Sequence, residues 1–174
     1  MSTQSHPTFS AAAQWIWGPA DHAANADRKN DWRYFRTQYQ LPGDIARATL
    51  LITADSAYEL HVNGEFLGRG PVRGFPFAYF YDVYDLTATF RAGQNTLAVL
   101  AHSLGDHTMT YIRGAAGLLA EVVIETTAGE TIFLASNGSW RTTHCDAFNA
   151  RAPRISVQLG FEEQYDARQE LAGW

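Results

Sequence analysis

Hydrophobic and polar residues alternate most cleanly over residues 57–62, where Tyr58, Leu60 and Val62 fall on one side and Ala57, Glu59 and His61 on the other. A period of two belongs to a strand with one buried face. Asn63-Gly64 follows, a pair that tolerates the positive φ required at both centres of a tight type I′ turn. Residues 65–69 then return as the partner strand. Residues 33–41 repeat the pattern, with Phe35, Thr37, Tyr39 and Leu41 set against Tyr34, Arg36, Gln38 and Gln40, and Pro42-Gly43 ends the run. Residues 46–54 are more continuously apolar, as expected of a central strand.

Shorter strands are predicted at 14–17, 81–86, 96–102, 117–126, 131–135, 140–142, 156–159 and 161–166. Leu118, Ala120, Val122 and Ile124 face inward in the 117–126 strand. Loops are expected at 18–31, at 70–80, where prolines and glycines break any ladder, and at 103–116. About 9–11 short strands, turn signals between them and no long helix predict an all-β fold. The expected architecture is an antiparallel, jelly-roll-like β-sandwich. Residues 1–12 are small and polar and read as a flexible tail, leaving 13–174 as a single sandwich domain.

The chain of 174 residues is long enough for a sizeable core. Its 13% aromatic content suits sheets and also supplies ring faces of the kind that stack on sugars. With 13 basic and 18 acidic residues there is no basic stripe, which argues against nucleic acid as a partner. No apolar run reaches the ~18 residues of a membrane span. The single cysteine, Cys145, and the absence of a signal-peptide pattern fit a cytoplasmic setting. Asn137-Gly138-Ser139 reads as a turn.

Catalytic patterns are weak. Glu162 and Glu163 are adjacent, so on a strand they point to opposite faces and cannot flank one glycosidic bond. Phe161, Glu163 and Tyr165 share a face. Asp82 and Asp85 have the same difficulty, and Asp85 reads as a turn or cap group. His102, Asp106 and His107 are metal-ligating residue types, but two of them fall in a loop and read better as anchors. Asp21, Asp27, Asn30 and Asp31 offer calcium-type oxygens without a loop pattern and read as solvated loop polarity. His144 beside Cys145 lacks the geometry of a nucleophilic dyad. No catalytic residue, metal site or cofactor is assigned. The two long loops are the candidate contact surface, through Arg73, Tyr79, His107, Tyr111 and Arg113. Tyr and Arg serve sugars, protein interfaces and structural pairing alike, and all three uses stay open.

Several segments together resemble a known family. Trp15-Ile16-Trp17, the run from Ala54 to Gly64, the run from Tyr81 to Thr87, Tyr111-Ile112-Arg113-Gly114 with Gly117-Leu118-Leu119-Ala120, and the run from Gly160 to Arg168 are similar in order and spacing to the N-terminal β-sandwich region of bacterial α-L-rhamnosidases. The resemblance implies a non-catalytic accessory module that docks on an (α/α)6 catalytic domain absent from this chain and holds L-rhamnose-containing glycans. Asp55, Asn63 and Gly64 are then structural. Trp174, expected to be exposed, favours a piece of a longer enzyme. The alternatives are a protein-binding sandwich without sugar affinity and a small stand-alone carbohydrate-active enzyme.

Overall fold

The architecture is a computed structural model that describes residues 7–18 and 28–172. Alternating sequence becomes alternating burial. The strands are β1 (Asp31–Leu41), β2 (Ile45–Asp55), β3 (Ala57–Val62), β4 (Glu65–Gly70), β5 (Asp82–Asp85), β6 (Gly93–Ser103), β7 (Gly117–Thr126), β8 (Thr131–Ala135), β9 (Arg141–His144), β10 (Arg154–Ser156) and β11 (Gly160–Phe161). One sheet runs β4-β3-β6-β1-β9 and the other β5-β2-β7-β8, and β10 pairs with β11. Every pairing is antiparallel, so the fold is the expected all-β sandwich. The only helical element described is a short 3₁₀ turn, Ala167–Gln169. No described helix is long and apolar enough to cross a membrane.

The core lies between the sheets. Phe35 of β1, Leu60 of β3 and Leu97 of β6 meet Leu50 of β2 and Leu118 and Ile124 of β7, all fully buried. A polar latch joins the sheets at one edge, where the Tyr58 hydroxyl donates to Asp82 at 2.5 Å and lies 3.1 Å from the Tyr84 hydroxyl. A Cβ at Gly70 would collide with Asp82 and Tyr58, so this end of β4 needs a glycine.

The predicted hairpin turn has φ of 52° at Asn63 and 87° at Gly64. Asn63 does more than permit that geometry. Its amide donates to Thr89 O and Asn95 Oδ1 and its oxygen accepts from Thr96 N at 2.8 Å, fixing the turn to the approach of β6. At Gly64 a Cβ would meet nothing within 4 Å, so substitution there carries a backbone cost alone. Gly64→Ala is expected to lower stability by about 1–2 kcal/mol with the fold intact, read as a shift in the urea midpoint at unchanged slope.

Three elements differ from the sequence expectation. The 14–17 strand is a single bridge, Ile16 with Leu118. Val157 to Leu159 form a turn, with only Ser156 in a strand. Beyond Phe161 the 161–166 segment leaves the ladder and touches the fold again through a Phe148–Tyr165 bridge. Short alternation near many polar residues does not reveal whether a partner strand exists.

Within the tail expected over 1–12, residues 7–12 pack along the four-stranded sheet. Ser10 donates from its backbone N–H (2.7 Å) and its hydroxyl to Glu121, whose side chain is fully buried on the outer side of β7. Phe9 meets Tyr81 edge-on, and Ser136 Oγ donates to Gln14 O at 2.7 Å. Residues 9 and 10 thus strap part of this face, while Ile16 runs along its edge beside Leu118 and Trp17 enters the core. Residues 1–6, Asp21, Asp27 and Trp174 lie outside the described residues.

Candidate functional site

The two long loops converge, but on an internal anchor. Asp55, 1% exposed at the end of β2, accepts from the Tyr79 hydroxyl at 2.7 Å, from the Tyr111 hydroxyl, and from Ser56 Oγ at 3.2 Å. Burial first, then the hydrogen bond to Asp55, pushes the Tyr111 phenol up to about 12, and the same two causes raise Tyr79. Both hydroxyls, expected at a contact surface, are therefore consumed in tying the loops down. A Cβ at Gly114 would run into Asp55 and Tyr79, which keeps that position bare. Arg73 and His107 are exposed, and Arg113 is half-buried. Arg73 crosses between the loops to donate to Thr110 Oγ1, and Arg113 N–H donates to His107 Nδ1 at 3.3 Å.

The metal-type residues are also occupied locally. His102 meets Asn30 Oδ1 at 2.9 Å and stacks on Trp32. Asp106 binds Lys29 at 2.9 Å and Arg154 at 3.0 Å. Asp31 accepts from Trp17 and Arg33 and pairs with His144, while Cys145 is buried. Among the described residues no group of three or more metal-ligating side chains gathers.

A cleft lies elsewhere, on the outer face of the five-stranded sheet. Register places Tyr34, Leu100 and Glu59 in one row across β1, β6 and β3, with Arg36, Ala98 and His61 in a second row and Trp32, His102 and Ala57 in a third. These are the outward positions of the alternation that buries Phe35, Val99 and Leu60. The C-terminal segments form the wall, with Phe148, Glu163, Tyr165, Glu170 and Leu171. The space is about 620 Å³ and continues past Glu59, Leu100, Phe148 and Glu163 into a recess of about 400 Å³ beside Gly70-Pro71. That range suits a small ligand.

The cleft joins ring faces to hydrogen-bonding groups. Trp32 is sandwiched between His102 and Phe148, with centroids 4.0 and 3.9 Å away, and Phe148 tilts against Tyr165 at 4.9 Å. Trp32 therefore acts as support, and the half-exposed Tyr165 presents its ring to solvent. Glu59 is met by His61 at 3.0 Å and Arg69 at 2.7 Å. Burial acts to raise its carboxyl, but these two partners outweigh it and hold Glu59 below the ordinary carboxylate range. A glycosidase acid must keep its proton at neutral pH, so Glu59 is tuned in the opposite sense. The arrangement sets carboxylates and an imidazole beside an exposed tyrosine ring.

The sequence points to the loops as the contact surface and assigns Tyr34, Glu59, His61, Glu163 and Tyr165 to no site. The sequence signal for them was present, in Glu59 and His61 on the outer side of the hairpin and in the shared face of Glu163 and Tyr165. What was missing was the pairing that brings residues 34, 59, 100 and 163 together.

The fold is an antiparallel β-sandwich with a groove on its five-stranded sheet. The chain belongs to the α-L-rhamnosidase N-terminal domain family, whose model matches residues 43–174. It is similar to the GH78 family rhamnosidase of Bacillus sp. GL1, at 42% identity and a TM-score of 0.81 over 95% of this chain and 17% of that one. An α-L-rhamnosidase of Streptomyces avermitilis is 31% identical over 97% of this chain and 16% of its own length. The chain thus spans about one sixth of such relatives. A lectin from Pleurotus ostreatus, solved in complex with GalNAc, superposes with a TM-score of 0.60 at 25% identity, over 91% of this chain and 44% of the lectin.

Proposed function

We propose that this domain serves an α-L-rhamnosidase as a carbohydrate-binding accessory module, docked on a catalytic domain supplied by the rest of the enzyme and holding L-rhamnose-containing glycans in the cleft on the five-stranded sheet. The observation that carries this reading is the cleft itself, a row of outward Tyr34, Leu100 and Glu59 faced by Tyr165, Glu163 and Glu170. A deoxyhexose has an apolar face suited to a tyrosine ring and hydroxyls suited to carboxylate acceptors. The likeness to a lectin solved with GalNAc supports the same class of ligand.

Titration with L-rhamnose and rhamnosyl disaccharides, followed by Trp fluorescence or amide shifts, tests the reading. Saturable binding is expected, with Tyr165→Ala and Glu163→Gln each weakening it about tenfold, the loss of roughly one stacking or hydrogen-bonding contact. Curves that stay flat to on the order of tens of millimolar remove the sugar-binding role, since binding weaker than that carries almost no free energy. Turnover of an aryl rhamnoside by the purified chain would instead make the domain an enzyme.

A further inference from the structure

A second surface differs in every respect from the cleft. At the loop end of the sandwich, Val72, Phe75 and Phe77 of the 70–80 loop, Met109 of the 103–116 loop, and Val157 and Leu159 of the turn after β10 are all exposed, Phe77 at 83%. Three bonds join the segments into one crest. Arg73 donates to Thr110, Met109 N–H donates to Val157 O at 3.2 Å, and Arg154 donates to His107 O. The Phe75 and Phe77 rings stack nearly parallel, 5.3 Å apart, across a turn closed by hydrogen bonds between Phe75 and Ala78. The Asp55 anchor fixes both loops beneath. The crest is a pre-formed apolar surface, and surfaces of that kind mark contact sites.

Its charge narrows the choice of partner. Residues 70–80, 103–116 and 154–159 contain Arg73, Arg113 and Arg154 against one carboxylate, Asp106, in a chain whose net charge is −5. Arg154 and Asp106 pair with each other at 3.0 Å, so the positive excess of these segments rests on Arg73 and Arg113. A basic-rimmed apolar face calls for an apolar patch edged by carboxylates. A second copy would bring the same arginines against them. A glycan would find no acceptor array like that of the cleft. Relatives of which this chain spans 16–17% have most of their length outside the matched region, and that remainder is the available occupant.

We propose that this crest is the face on which the domain docks against the remainder of a rhamnosidase chain. The proposal does not depend on sugar binding, since a domain with an empty cleft still docks. The experiment replaces the matching segment of the Bacillus sp. GL1 rhamnosidase with this chain and maps hydroxyl-radical oxidation at Phe77 and Met109. Oxidation of both is expected to fall about tenfold from the level in the separate chain, as for residues moved into an interface core. Undiminished oxidation in a folded chimera overturns the proposal. Should the chimera not fold, titration of this chain against the Bacillus enzyme lacking that segment decides. Saturable binding that weakens with salt and about tenfold in Phe77→Ser supports the proposal, and absence of binding overturns it. A dimer of the separate chain with a protected crest would also overturn it, by assigning the face to a second copy.

Discussion

Replacing Asp55 with alanine is expected to destabilise the domain by about 3–6 kcal/mol, the sum of the two tyrosine hydrogen bonds to this charged acceptor at about 1.5–3 kcal/mol each. The carboxylate is almost fully buried and receives the Tyr79 and Tyr111 hydroxyls, one from each long loop. Without it two largely enclosed phenols lose their acceptor at once. Asp55→Asn keeps one acceptor oxygen and should lose roughly half as much, since one tyrosine stays satisfied. Tyr111→Phe should then add little to Asp55→Ala, because the two changes delete the same bond. Urea unfolding of the four variants measures this, and limited proteolysis should show cleavage moving to 70–80 and 103–116. An Asp55→Ala chain within about 0.5 kcal/mol of wild type, the ordinary range for surface substitutions, would mean the loops are held by something else.

Acid is expected to weaken the fold through His102. Burial of its ring, only partly opposed by the charge of Asp31, brings the imidazole down from 6.5 to about 4. In the unfolded chain the ring takes up a proton near 6.5; in the folded domain it resists until about 4. Between those values unfolding binds a proton, so stability is complete above about 6.5 and declines as pH falls toward 4. A gap of this size corresponds to a loss of about 3 kcal/mol at most. His102→Phe keeps a ring against Trp32 and removes the proton site. Its urea midpoint should therefore fall less than that of wild type between neutral pH and pH 4.5. Equal falls would assign the acid sensitivity to other groups.

The sandwich was legible because its longest strands are half-buried or fully buried. Residues 33–41 and 57–62 alternate and 46–54 do not, and these are β1, β3 and the doubly covered β2. Asn63-Gly64 named its own turn. Asp85, read as a cap, accepts from Thr87 N–H at 2.9 Å. The site was less legible for two reasons. Tyr79 and Tyr111 looked like contact residues because exposed loops carry function, yet a single buried carboxylate turned both inward. Tyr34 and Glu163 are 129 positions apart, and only the order β3-β6-β1, with the return of the chain at Phe148, places them in one cleft. Alternation states which way a side chain points and is silent about what stands opposite.

The position of the cleft has a consequence for binding stoichiometry. Ser10 caps Glu121 on the four-stranded sheet, where Val83 and Phe133 stay about half exposed, and the cleft lies on the opposite, five-stranded side. Under the proposed sugar-binding role, a molecule with this one cleft would engage a polysaccharide from a single direction. Any avidity would have to arise from several copies arrayed along the same strand of sugar, because one copy cannot bridge two strands.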